Sequence, residues 1–285
     1  MERFGTVAIV GVGLIGGSIG MALRARGIAD RVVGVGRDPI RLDEARRLGA
    51  VDAATTDLRD GVSRADIVVV CTPVDRVKTD VVRASELAPS GALVTDAGST
   101  KTTIVDAAEA NPAALAKFVA AHPIAGSERS GVAHGRADLF EGRVCVLTPT
   151  TRTSPDRLDR ARGLWSALGC RVVELDPATH DAHFARTSHL PHAVAAALAS
   201  LVGPELVSLA AGAYRDATRV AGADAALWAP IFLENRRSCL EALDDFDASL
   251  AAFRAALEAG DEAALRAWWD EGRRNRVAFD GQNRP

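Results

Sequence analysis

The chain has 285 residues, 48% hydrophobic and 25% charged, with a formal net charge of −3. That composition is ordinary for a globular protein with core enough for one large or two modest domains. With no basic excess a nucleic-acid partner is not expected, and no apolar run reaches the roughly 18 residues of a membrane span. Cys71, Cys145, Cys170 and Cys239 lie far apart without C-x-x-C spacing, which reads as reduced thiols and no metal site. No signal peptide is read before the first strand, so a cytoplasmic location is expected.

Residues 6–10 form a short β-branched run that reads as a buried parallel strand. Gly11, Gly13 and Gly16 follow as G-x-G-x-x-G, and Ile15, Ile19, Ala22 and Leu23 then fall at helical spacing. Strand, glycine turn and helix in that order are the setting in which this motif binds a dinucleotide. Gly11 permits the tight turn, Gly13 lets a pyrophosphate approach the backbone, and Gly16 lets the helix pack on the strand. Leu14 and Ile15 open that helix, whose free N–H groups and positive dipole end suit phosphate.

The position that reads the ribose falls at the end of the next strand, residues 31–35. An NAD-binding chain usually carries an acid where Gly36 stands. Its loss leaves Arg37 to meet a 2′-phosphate or to lie over the adenine face, while Asp38 is placed to serve as a displaced acid. NAD and NADP both stay open. Thr72, after a strand at residues 67–71, completes the cofactor set.

Helices at residues 41–48, 74–87 and 101–110 alternate with strands at 67–71, 92–95 and 118–121, the pattern of a doubly wound sheet. Two further strands, 143–147 and 171–173, flank a helix at 155–168 and are expected to extend the same sheet. At Asp176-Pro177 the character changes: Asp suits an N-cap and Pro the first helical position. From there alanine-rich segments predict helices and no strand. The fold class is therefore α/β: a doubly wound, Rossmann-type domain over residues 1–175, then an all-helical domain over 176–285.

Three stretches offer chemistry. Ser99 lies in Asp96-Ala97-Gly98-Ser99-Thr100-Lys101 at the carboxyl edge of the sheet, where open α/β folds bind ligands; a plain helix N-cap is the competing reading. His122, Ser127 and Glu128 follow another strand at that edge, and histidine is the side chain best matched to proton transfer near neutral pH. His189 and His192 are three apart and would share a helical face. With no third ligand they predict no metal.

Taken in order, Gly11 to Ser18, Asp96 to Lys101, His122 to Glu128, Ser188 to His192, and Asp216 to Arg219 with Trp228 and Phe232 to Asn235 resemble the prephenate/arogenate dehydrogenase family of tyrosine biosynthesis. The resemblance spans nearly the whole chain. It implies oxidative decarboxylation of prephenate to 4-hydroxyphenylpyruvate with NAD or NADP as hydride acceptor, or of arogenate to tyrosine. By the same resemblance His122 holds or accepts the ring hydroxyl proton and Ser99 orients that hydroxyl. Arg219 holds a substrate carboxylate, as a guanidinium fork suits. His192, Ser127 and Glu128 line the pocket, Asp216 positions nearby groups, and Trp228 reaches in from the partner in a homodimer. Neither a fused chorismate mutase nor a regulatory amino-acid-binding domain is read at the ends of the chain. A β-hydroxyacid dehydrogenase would share the glycine motif and the helical domain but leaves His122, His189 and His192 unexplained. A non-catalytic nucleotide sensor would not need Ser99, His122 and Arg219 together.

Overall fold

The computed structural model describes residues 3–126 and 129–282. Six strands, β1 (Phe4–Val10), β2 (Ala29–Val35), β3 (Ala53–Thr55), β4 (Ile67–Val70), β5 (Leu93–Asp96) and β6 (Phe118–Val119), form a parallel sheet in the order β3-β2-β1-β4-β5-β6. The order reverses between β1 and β4, which opens a crevice at their carboxyl ends. Helices α1 (Leu14–Ala25), α2 (Pro39–Arg47), α3 (Leu58–Val62), α4 (Val74–Leu87), α5 (Thr102–Glu109) and α6 (Pro112–Leu115) connect the strands. Val7, Ile9, Ile67 and Val69 belong to one hydrophobic core, and Ala8, Val10, Val68 and Val70 to the other. Alternate residues thus feed opposite faces, and both faces are covered. That is why these strands read as unbroken apolar runs.

The later strands do not extend this sheet. β7 (Ala121–Pro123), β8 (Val144–Leu147) and β9 (Arg171–Glu174) form a second sheet of three, with β7 antiparallel to β8 and helix α7 (Pro155–Ala167) crossing between β8 and the parallel β9. The departure comes at Ala120–Ala121. The Ala121 N–H donates to Asp96 Oδ1 at 2.9 Å, and its carbonyl accepts from Lys101 Nζ at 2.8 Å. Both backbone groups that a continued ladder would use are taken by side chains. Lys101 also pairs with Asp96, and both side chains have no solvent exposure.

Beyond β9 every described element is helical, as the alanine-rich sequence predicts. Asp176 caps α8 (Pro177–Phe184), accepting from the Thr179 N–H at 2.9 Å, with Pro177 at the first helical position. A π-helical turn, Ala185–His189, joins α8 to α9 (Leu190–Ser200). Pro191 explains it: proline has no N–H to give the carbonyl four residues back, and its ring crowds that carbonyl. Then come α10 (Pro204–Val207), α11 (Gly212–Thr218), a 3₁₀ turn at Arg219–Gly222 and α12 (Ala225–Glu234). Residues to Arg236 form one compact unit, and those from Arg237 onward form a second. The second is a helical hairpin of α13 (Arg236–Ala259) and α14 (Glu262–Gln282). Gly260, at φ 65°, ends α13 in the left-handed conformation that glycine adopts at no steric cost. Trp268 Nε1 ties the hairpin by donating to Ser249 Oγ at 3.0 Å. Among the described residues no helix is long and apolar enough to cross a membrane.

Removing one member of a buried ion pair strands the other. Lys101→Met is expected to destabilise the protein by about 3–5 kcal/mol in denaturant unfolding. A loss below about 1 kcal/mol would show that the pair does not hold the sheet junction.

Candidate active site

The glycine turn sits at the crevice between β1 and β4. Gly11 has φ 95°, and a Cβ there would lie 2.7 Å from the Cys71 carbonyl oxygen and 2.9 Å from the Thr72 nitrogen. A Cβ on Gly16 would overlap the Gly11 carbonyl. A Cβ on Gly13, by contrast, meets nothing within 4 Å. The first two glycines are therefore required by the fold, while Gly13 faces open space. Leu14, Ile15 and Gly16 begin α1, whose N-terminus has no side-chain cap and no acidic residue in its first turn. Thr72 Oγ1 is buried without a hydrogen-bond partner. A pyrophosphate fits this cradle: free N–H groups, a positive dipole end, an orphaned hydroxyl and space over Gly13. Arg37 is exposed just past β2, and among the described residues no hydrogen bond or ion pair holds it. Asp38 is committed elsewhere: its carboxylate caps α2, accepting from the Ile40 N–H at 2.9 Å. The reading of Asp38 as a displaced ribose ligand loses ground to that cap.

His122 lies in β7, just after the sheet junction. Its Nδ1 is 2.8 Å from His180 Nε2, and His180 Nδ1 is 2.8 Å from Asp181 Oδ1. The Asp181 oxygens also accept the Lys101 and Thr102 N–H groups, each at 2.8 Å. Asp181 of α8 thus caps α5, a helix with no side-chain cap of its own. Ser99 is half-buried in the loop before Lys101 and is not that cap, so the structural alternative for Ser99 falls away. Among the described residues no hydrogen bond joins Ser99 to His122. Phe184 packs against both His122 and His180, with ring centroids 4.7 and 4.5 Å away. Burial, then the neighbouring His180, Lys101 and His189, hold the His122 pKa well below its ordinary value, so the ring is neutral at pH 7. Burial also lowers His180, against the pull of Asp181. Burial pushes the Asp181 carboxyl up, but hydrogen bonds from His180 and Thr102 leave it below the usual range.

Neither His180 nor Asp181 stood out in the sequence. The one local signal is an adjacent His-Asp pair in the first turns of a capped helix.

The helical side of the site gathers around Trp228. The His192 ring stacks on Trp228 at 3.6 Å between centroids and 25° between planes, and His189 meets the same indole edge-on at 6.0 Å. His192 Nδ1 donates to the Ser188 carbonyl at 2.8 Å, which leaves Nε2 for a ligand. Burial pushes His189 down to about 4. Trp228 stacks on His192 of its own chain. Arg219 is exposed at the start of the 3₁₀ turn, which packs on α9, and its charge helps to lower His192. Asp216 is exposed and pairs with Arg215 at 3.1 Å. Ser127 and Glu128 lie outside the described residues.

Two residues of the Phe232–Asn235 stretch anchor rather than line the site. Glu234 accepts from Lys78 Nζ at 2.8 Å and from Thr103 Oγ1 at 2.8 Å, which ties α12 to α4 and α5. Asn235 Nδ2 lies 2.8 Å from the Asp181 carbonyl and 3.1 Å from His189 Nδ1.

Residues 19–174 match the family model described as prephenate dehydrogenase, nucleotide-binding domain, and residues 176–271 that of its dimerization domain. The chain is 34% identical to a prephenate dehydrogenase of Bacillus subtilis over 91% of this chain and 72% of that one. It is 33% identical to a cyclohexadienyl dehydrogenase of Zymomonas mobilis, covering 98% and 97% of the two. The crystal structure of prephenate dehydrogenase from A. aeolicus, in complex with hydroxyphenyl propionate and NAD+, superposes with a TM-score of 0.90 at 34% identity, covering 98% of each chain.

A side chain at Gly13 would enter the open space without touching the fold. Gly13→Val should keep its thermal midpoint within a few degrees while NADH and NADPH affinity falls by at least about tenfold in a fluorescence titration. Undiminished binding would move the pyrophosphate elsewhere.

Proposed function

The chain belongs to the prephenate dehydrogenase family, and we propose that it oxidatively decarboxylates prephenate to 4-hydroxyphenylpyruvate with NAD or NADP. The observation that carries this reading is His122: a half-buried, neutral imidazole at the carboxyl edge of the sheet, held from behind by His180 and Asp181. Gly11, Gly13, Leu14, Ile15, Gly16 and Thr72 hold the dinucleotide, and Arg37 is free to meet a 2′-phosphate. When bound, the nicotinamide accepts the hydride from the ring carbon that bears the substrate's hydroxyl.

The side chains supply the rest. His122 takes the hydroxyl proton as that carbon becomes a carbonyl; the ring carboxylate then leaves as CO2, its bonding electrons make the ring aromatic, and the oxygen takes the proton back from His122 to give the phenol. A neutral acceptor matters because an imidazolium could not take the proton. Ser99, at the neighbouring strand end, orients the same oxygen. Arg219 holds a carboxylate from the rim, while His192 and Trp228 form a polar-edged aromatic wall for the ring. Ser127, Glu128 and Asp216 complete the proposed pocket.

We assign the substrate and dimerisation domain to residues 176–285, after a nucleotide domain at 1–175. Leu240, Leu243, Leu250 and Leu257 are exposed along α13, and a homodimer would cover such a face. The unbridged thiols of Cys71, Cys145 and Cys170 fit the reducing cytoplasm.

Steady-state assays should show reduced nicotinamide appearing with prephenate; turnover of arogenate alone would reassign the substrate. His122→Asn should cut kcat by roughly 10²–10⁴-fold with little change in the substrate KM. Wild-type kcat should rise with pH through one ionisation lying below the ordinary histidine value of about 6.5, because the folded site depresses His122, and that limb should vanish in the variant. A variant that keeps both kcat and the limb would make His122 structural. Arg219→Ala should raise the substrate KM about tenfold to a hundredfold, the equivalent of roughly 1.5–3 kcal/mol for a hydrogen bond to a charged group. Cofactor KM should barely move; equal weakening of both would mark a folding defect.

A further inference from the structure

We propose that His180 and Asp181 are positioning residues that fix the tautomer of His122, with hydrogen on Nδ1 and a bare lone pair on Nε2. This rests on the reading of His122 as the proton acceptor. The argument follows the hydrogens from the far end. Asp181 accepts the N–H groups of Lys101 and Thr102, one on each oxygen, at 2.8 Å. An ionised carboxylate only accepts, so His180 Nδ1, 2.8 Å from Oδ1, must donate. A neutral His180 then has its lone pair on Nε2. That nitrogen is 2.8 Å from His122 Nδ1, and one hydrogen must lie between them, so His122 Nδ1 donates. Nε2 is what remains for the substrate. The opposite tautomer would set two lone pairs against each other at that distance, or turn a lone pair of His180 toward the Asp181 carboxylate.

The surroundings make this order hard to reverse. Asp181 and His180 are 2% and 0% exposed. Asn235 Nδ2 lies 2.8 Å from the Asp181 carbonyl, and Asp176 caps the helix that carries the pair. The charged and titratable groups that bear on His122 are His180 of α8, His189 of the π turn and Lys101 at the head of α5; Asp96 of β5 and Asp181 act on His180. When His122 gains a proton on Nε2, its Nδ1–H still points at His180, and Asp181 stands behind to offset the positive charge. The arrangement follows the logic of an oriented base in hydrolases, in which a third group sets the tautomer. Here a second imidazole relays the carboxylate.

The test uses the full-length protein labelled with 15N-histidine. In the ligand-free wild type, His122 is expected to show a protonated Nδ1 and an unprotonated Nε2 at pH 7. His180→Leu keeps the bulk without an acceptor; the tautomers of His122 should mix, and kcat should fall between about tenfold and 10⁴-fold, the upper end being the cost of a wrong tautomer in a serine-protease triad. Substrate KM should change little. His180→Gln offers its amide oxygen to Nδ1–H and should restore both the tautomer and most of kcat. Wild-type spectra with the hydrogen on Nε2, or a folded His180→Leu variant with the wild-type tautomer and kcat, would overturn the proposal; the wild-type spectrum decides it even if that variant fails to fold. The two failures are separable: loss of the base reading shows in His122→Asn retaining kcat, and loss of this proposal shows in nitrogen shifts measured without substrate.

Discussion

The buried pair of Asp96 and Lys101 decides where the parallel sheet stops. An ion pair with no exposure costs desolvation free energy, and it is tolerated only when every donor and acceptor finds a partner. Here the partners are backbone groups: Asp96 takes the N–H of Gly98 and of Ala121, and Lys101 gives a hydrogen to the carbonyl of Ala121. A residue whose two polar groups are satisfied by side chains has no need of a neighbouring strand on that side. The chain can therefore leave the sheet at Ala121, and the next residue is His122. Charge pairing at one point in the core thus sets the place of the proposed base to within a residue.

The helical part of the site docks onto that point through side chains rather than through a broad apolar contact. Asp181 reaches across to cap α5, Glu234 receives Lys78 and Thr103, and Asn235 bridges the Asp181 carbonyl and His189. The same carboxylate that ends the orphan N–H groups of α5 also orients His180. One group thus serves the fold and the proton acceptor, and stability and activity are coupled at Asp181. The glycine cradle is independent of this arm: its geometry comes from β1, α1 and the end of β4, all within the parallel sheet.

The parts of this architecture that could be read in the sequence are those whose physics is local. β1, the glycine turn and α1 declare themselves because strand, turn and helix follow within a few residues, and α4 is bounded as its periodicity predicts. The breaks at Asp176-Pro177 and the absence of strands beyond are also local signals. The second sheet was not legible: β8 and β9 carry the same apolar pattern whichever sheet they join, and the deciding bond runs from Asp96 to Ala121. For the same reason Ser99 competed with an N-cap role that Asp181 fills from 80 residues away. His122 could be found from its place after a strand. His180 could not, because its meaning depends on a contact 58 residues distant and its own helix reads as an ordinary capped segment. Glu234 and Asn235 belonged to a recognised stretch, but their work as anchors needed the fold.

The π turn before α9 has a consequence for the alignment of the histidines. On an unbroken α-helix, at about 100° per residue, His180 and His192 would point about 120° apart. The turn absorbs one residue, which advances the helix by about 100° less and brings the two nearly into phase, about 20° apart. A one-residue deletion within residues 185–188 would leave eleven steps between the two, already about 20° apart on an unbroken α-helix, so the direction of His192 toward Trp228 would survive loss of the turn. A further one-residue insertion, unless a second such turn absorbed it, would instead swing His192 by about 100° away from the wall it shares with Trp228.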